Sequence, residues 1–78
     1  MTMTYREILN EARLALLRGN RGVALSTRWG LAVLESEHDP GTGAFWYRLI
    51  GPAVPSDASR WMEAHETLGA LPGWEIAR

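Results

Sequence analysis

The side chains in this sequence that could do chemistry are few, and most are isolated from one another. His65 stands between Glu63 and Glu66, a setting that would suit a general base, but a helix through it brings Trp61, four residues back, onto the same side. His65 is therefore expected on an apolar face, partly buried against Trp61. Glu37, His38 and Asp39 are metal-ligand types in a row. Adjacent residues rarely converge on one ion, so they read as a solvated turn. Ser26 and Thr27 have no neighbouring base to activate a hydroxyl. Gly41, Thr42 and Gly43 have the outline of a phosphate loop, yet no Lys follows and the next element is a strand, not a helix N-terminus. The sequence is thus read as non-enzymatic, with no catalytic residue, no cofactor and no metal.

Recognition chemistry is better represented. All 8 basic residues are Arg, whose planar fork of donors matches carboxylate and phosphate. Arg13, Arg18, Arg21 and Arg28 lie in a stretch, residues 12–34, that holds no acidic residue, which would place a positive patch near the end of a first helix. Residues 1–34 are net basic and residues 35–78 net acidic through Glu35, Glu37, Asp39, Asp57, Glu63, Glu66 and Glu75. Trp46 and Arg48 alternate along an apolar run with Ile50. Trp and Arg are the residue types enriched where a few contacts carry most of a binding energy.

One domain, residues 1–78, has to position these groups. A chain of 78 residues buries only about 60% of its unfolded surface, and without cysteine its apolar side chains alone must hold it. The 46% hydrophobic content and 4 Trp make that feasible. The longest early apolar run, residues 14–17, is far short of a signal-peptide core or membrane span, so a soluble, cytoplasmic protein without membrane contact is expected.

A helix should start at Tyr5. Thr4 and Glu7 fit the reciprocal capping box, Met3 and Ile8 the staple across it. Tyr5, Ile8, Leu9, Ala12 and Leu16 form its apolar face, widened by Leu14 and Leu17, and Gly19 closes it. Residues 23–33 then alternate with the period of extended chain, one bent strand or two, two being preferred with a reversal near residues 28–30. The polar run 36–43 is a turn and residues 44–51 the next strand. The alternation suggests a register with Val33 opposite Tyr47, in which Leu31 faces Leu49 and Glu35 faces Phe45. This puts Leu31, Val33, Phe45, Tyr47 and Leu49 on the core face, and Ala32, Leu34, Trp46, Arg48 and Ile50 on the other. A second helix follows Ser56, with Ala58, Trp61, Met62, His65 and Leu68 on one side, stopped by Gly69 or by Pro72 and Gly73. Residues 74–78 are a candidate closing strand.

The expected fold class is two-layer α+β: an N-terminal helix, an antiparallel sheet of three strands or four, and a C-terminal helix packed on one face. Helices on the Phe45 side would leave Trp46 uncovered. The functional expectation is a small protein-interaction module that binds a larger protein or nucleoprotein complex through Trp46, Arg48, Ile50 and Arg28, the basic Arg13, Arg18 and Arg21, and the acidic Glu35, Glu37 and Asp39. By analogy of size and class alone, inhibitors of host complexes such as phage anti-defence and anti-CRISPR proteins are of this kind. The alternatives are an accessory protein that binds nucleic acid through the Arg-rich residues 13–28, disfavoured by a pI of about 6.1, and a structural homodimer.

Overall fold

In the computed structural model, which describes residues 4–70 and 75–76, helix α1 (Tyr5–Leu17) starts where its capping signal places it. The Thr4 hydroxyl accepts the Glu7 N–H at 3.2 Å, and the Glu7 carboxylate accepts the Thr4 N–H at 3.2 Å. Both bonds satisfy donors that a helix start leaves without a partner. Met3, the expected staple partner of Ile8, lies outside the described residues. At the other end Gly19 takes a φ of 78°, and the Gly19 and Asn20 N–H groups donate to the Leu16 and Ala15 carbonyls, the left-handed ending that a residue without Cβ adopts most readily. The buried stripe is Ile8, Leu9, Ala12 and Ala15. Leu17, expected to widen it, is 76% exposed, because the helical period sets it opposite Ile8 while Ala15 stacks with Ile8 and Ala12.

Strands β1 (Gly22–Thr27) and β2 (Gly30–His38) are separate, joined by a two-residue turn at Arg28 and Trp29. Gly30 has φ 90°, and the Thr27 hydroxyl pins the turn by accepting the Trp29 N–H at 3.1 Å and donating to the Gly30 carbonyl at 2.8 Å. Such a turn pairs odd-numbered residues with even-numbered ones: Val23 faces Leu34 and Leu25 faces Ala32. Cross-strand partners lie on the same side of a sheet, so Leu25 brings Ala32 and Leu34 into the core and turns Leu31 and Val33 away from it.

This overturns the expected register with β3 (Phe45–Ile50). Val33 lies opposite Ile50, not Tyr47, while Leu34 pairs with Leu49, Glu35 with Arg48 and Ser36 with Tyr47. Phe45, Tyr47 and Leu49 remain on the core side as expected. Ala32 and Leu34 replace Leu31 and Val33 there, because an odd slip exchanges the faces of a strand. The polar run also begins its turn later than expected: Ser36, Glu37 and His38 continue β2, and the reversal occupies residues 39–44.

The single helix expected after Ser56 is two, α2 (Ser56–Ser59) and α3 (Ala64–Ala70), separated by residues 60–63, with Arg60 extended at φ −83° and ψ 158°. The interruption has a clear use. Met62 exchanges backbone hydrogen bonds of 2.7 and 2.8 Å with Tyr47 on the otherwise open edge of β3, satisfying peptide groups that burial would leave without partners. The helix restarts with the Glu66 carboxylate accepting the Glu63 N–H at 3.1 Å and runs through Gly69. Strand β4 (Glu75–Ile76) pairs with β1 and completes a sheet of order β3-β2-β1-β4. Pro72, Gly73 and Trp74 lie outside the described residues.

The architecture is α+β, an antiparallel sheet with α1 and the small C-terminal helices. Ile8, Leu25, Leu34, Tyr47, Leu49 and Met62 are fully buried between the layers, each large apolar side chain contributing about 1.5–3 kcal/mol. The Tyr5 hydroxyl bonds the Ala64 carbonyl and the Thr67 hydroxyl, tying α1 to α3. Among the described residues no helix is long and apolar enough to cross a membrane.

Candidate interaction surface

The register lays out the outer side of the sheet in rows. Ala24, Val33 and Ile50 form one row, Gly22, Glu35 and Arg48 a second, and Glu37 with Trp46 a third, while Ser26 and Leu31 stand at the opposite end. Trp61 joins from the edge. Met62 turns into the core beside Tyr47, so Trp61 projects to the outer side, where the Arg48 guanidinium lies 4.4 Å from its ring centre. Leu31 is 66% and Ile50 40% exposed, and Trp46 and Trp61 are half-buried. Helix α1 packs on the inner side, and among the described residues no helix covers the outer one.

The second row is a charge network. Glu35, whose side chain is only 12% exposed, accepts Arg48 Nε at 2.7 Å and lies 3.3 Å from Arg21 Nε. Arg48 is therefore held between a carboxylate and an indole, an ion pair on one side and a cation–π contact on the other. Alongside, Glu37, Trp46 and Trp61 line an open cleft of about 420 Å³.

Of the nominated residues, Trp46, Arg48, Ile50, Glu35 and Glu37 come together on this face, with Arg21 attached through Glu35. The others do not join them. Arg13 is on the inner side, donating Nε to the Tyr47 hydroxyl at 2.5 Å with its guanidinium 4.9 Å above Phe45. Arg28 covers Trp29 at the β1–β2 turn, 4.5 Å from its ring, and Arg18 is the C-cap of α1. The Asp39 carboxylate accepts the Gly41 N–H at 2.9 Å and shapes the β2–β3 turn. The basic segment is thus divided between two sides of the sheet and two ends of β1, not gathered into one patch.

The chemical candidates disperse in the same way. His65 does not pack on Trp61, because α3 begins only at Ala64. Its side chain is 75% exposed, with Nδ1 3.6 Å from the Glu63 carboxylate. Glu37 and His38 point to opposite sides of β2, and the His38 ring packs 4.7 Å from Phe45. Among the described residues no group of three or more His, Cys, Asp and Glu could hold a metal ion. No family model, curated protein or solved structure matches the chain.

Three members of the face, Leu31, Val33 and Trp61, escaped sequence reasoning. Leu31 and Val33 were detectable in principle, since a two-residue turn at Arg28 and Trp29 reverses the alternation that the run from Val23 to Val33 displays. Trp61 carried no such signal. It reaches the face only because Met62 pairs with a strand edge distant in sequence.

Proposed function

We propose that the chain is a small non-enzymatic interaction module that docks a larger protein on the outer face of its sheet. The observation that supports this reading most is the uncovered combination of Trp46 and Trp61 with exposed Leu31 and Ile50 on the side of the sheet away from α1. An antiparallel sheet can show one face to water, but that face is then ordinarily polar. Here it carries aromatic, aliphatic and Arg side chains, the composition of a protein-binding surface.

The charge pattern favours a protein partner over nucleic acid. Arg48 and Arg21 are both engaged by Glu35, and Glu37 adds a second carboxylate to the face, which would repel phosphate. A partner with a basic surface fits better. An inhibitor of a nucleic-acid-binding complex, competing for its basic groove, is the finer form of this reading. The cytoplasm is its proposed place of action, since a cysteine-free chain needs no oxidising compartment.

Affinity capture from a lysate of the source cell tests the proposal. The chain should retain a specific partner, and Trp46→Ala or the double reversal Glu35→Lys with Glu37→Lys should abolish retention. Capture indifferent to both variants would refute docking at this face. Retention on DNA or RNA with a steep loss as salt rises would favour the nucleic-acid alternative instead.

A further inference from the structure

Two neighbouring rows of the outer face have related chemistry. In one, Glu35, Arg48 and Trp61 form a succession of carboxylate, guanidinium and indole, with separations of 2.7 Å and 4.4 Å. In the next, Glu37 is the direct cross-strand partner of Trp46, and both line the cleft with the second indole, Trp61. Glu37 is exposed and has no ion-pair partner among the described residues. This row therefore supplies a carboxylate and an indole of its own, Glu37 and Trp46, beside the Trp61 ring that already carries Arg48, and its open side faces solvent.

We infer that the Glu37–Trp46–Trp61 cleft binds an arginine side chain of a partner protein, an assignment that rests on the interaction reading above. Both attractions come from groups that line the cleft. An indole face attracts a cation through the ring quadrupole, Trp more strongly than the other aromatic rings. A carboxylate at the wall accepts a planar fork of N–H donors in two parallel bonds, a geometry open to arginine and closed to lysine. The chain seats its own guanidinium groups on aromatic rings three further times, Arg28 at 4.5 Å from Trp29, and Arg13 at 4.9 Å from Phe45 and 5.9 Å from Tyr47. The cleft volume of about 420 Å³ falls in the range of sites that accept a compact ligand group. An anionic group would meet Glu37 without a compensating cation, because the nearby Arg48 is already held by Glu35.

The test uses the full chain and Nα-acetyl-arginine amide as the probe, followed through the Trp indole N–H resonances. Trp46 and Trp61 should shift together and saturably, while Trp29, whose ring Arg28 already covers, serves as the internal control and stays in place. The neutral isostere Nα-acetyl-citrulline amide should bind at least about fivefold more weakly, as should the arginine probe to Glu37→Gln. Glu37 is exposed, so this variant is expected to fold, and retained amide dispersion checks it. Trp46→Leu gives a second variant in which the Trp61 shift should disappear.

No shift at Trp46 and Trp61 up to about 50 mM probe, well beyond the millimolar range of a weak site, overturns the inference. So does equal binding of arginine and citrulline probes, or affinity unchanged in Glu37→Gln. A concentration-dependent shift of the same indoles without probe would make a second copy of the chain the occupant and also overturn it. Parallel capture with Leu31→Asp separates this inference from the reading it rests on. If the probe fails but Leu31→Asp still loses the partner, the cleft assignment falls alone. If the probe binds as described but no outer-face variant affects capture, the docking surface falls, and with it the partner's arginine as occupant, while the affinity of the cleft for a guanidinium stands.

Discussion

Tyr47 is fully buried, and its hydroxyl is matched by a single charged donor, Arg13 Nε at 2.5 Å. Arg13 thus has a structural task at the open side of the core, since its guanidinium also lies above Phe45. Replacing it by Met keeps much of the stem packing but leaves the Tyr47 hydroxyl without its donor, at an expected cost of about 1–3 kcal/mol in denaturant unfolding. A change within about 0.3 kcal/mol would show that water replaces the guanidinium fully. Ser36, the cross-strand partner of Tyr47, presents the opposite case. It is 4% exposed, and its hydroxyl has no hydrogen-bond partner among the described residues. Ser36→Ala is therefore expected to raise stability, by about 1 kcal/mol, because it removes an unsatisfied polar group while changing the shape little. Destabilisation would mean that the hydroxyl is bonded in solution.

At the scale of elements, short hydrogen-bonded devices decide what the longer segments do. The capping box gives α1 its start, and Thr4→Ala should cost about 1 kcal/mol. The bonds from Thr4, first its side chain and then its backbone, hold the Glu7 carboxyl below its ordinary pKa. The Glu63 N–H and then the Arg60 side chain do the same for Glu66 at the start of α3. A carboxyl depressed in the folded state contributes stability that is complete above its unfolded pKa and lost as pH falls through the folded value. Thermal stability should accordingly decline below the ordinary carboxylate range. Glu7→Gln should flatten part of that decline in melts across about pH 2–7, and an identical acid slope in this variant would remove the capping box as a contributor. Gly22 in β1 is set by contact: a Cβ there would lie 2.2 Å from the Leu34 carbonyl oxygen. Gly22→Ala should therefore disturb the β1–β2 ladder and destabilise by about 1–3 kcal/mol, read as a fall in the denaturation midpoint.

The whole molecule is a one-sided sandwich. Its inner sheet face is closed by α1, Ala58 and Met62, and its outer face combines exposed Leu31 and Ile50 with the Glu35 charge network. A core this small leaves little excess stability, so large exposed apolar residues on the far face call for a reason other than folding. Substituting Leu31 by Asp should change unfolding free energy by no more than about 0.5 kcal/mol, as for an ordinary surface site, while abolishing capture of a partner. A loss of several kcal/mol with monomer stability dependent on protein concentration would instead show that folding requires a second copy on this face.

Local chemistry made several features legible in the sequence. The Thr4–Glu7 box, the Gly19 ending, the reversal near Arg28–Gly30 and the aromatic strand after Gly43 each depend on residues a few positions apart. Their physics is complete within the segment, and the α+β class follows from their order. The faces of β2 and the break after Ser59 are of another kind. Whether Leu31 or Ala32 enters the core depends on a turn of two residues combined with the pairing partner of β3, and alternation within one strand is satisfied by either choice. Residues 60–63 have the spacing of a helix, but the edge of β3 offers Met62 two backbone hydrogen bonds with Tyr47 that no local pattern announces. Only tertiary pairing could settle that competition, and its result carries Trp61 from an expected core helix to the outer face beside Trp46, Arg48 and Glu37.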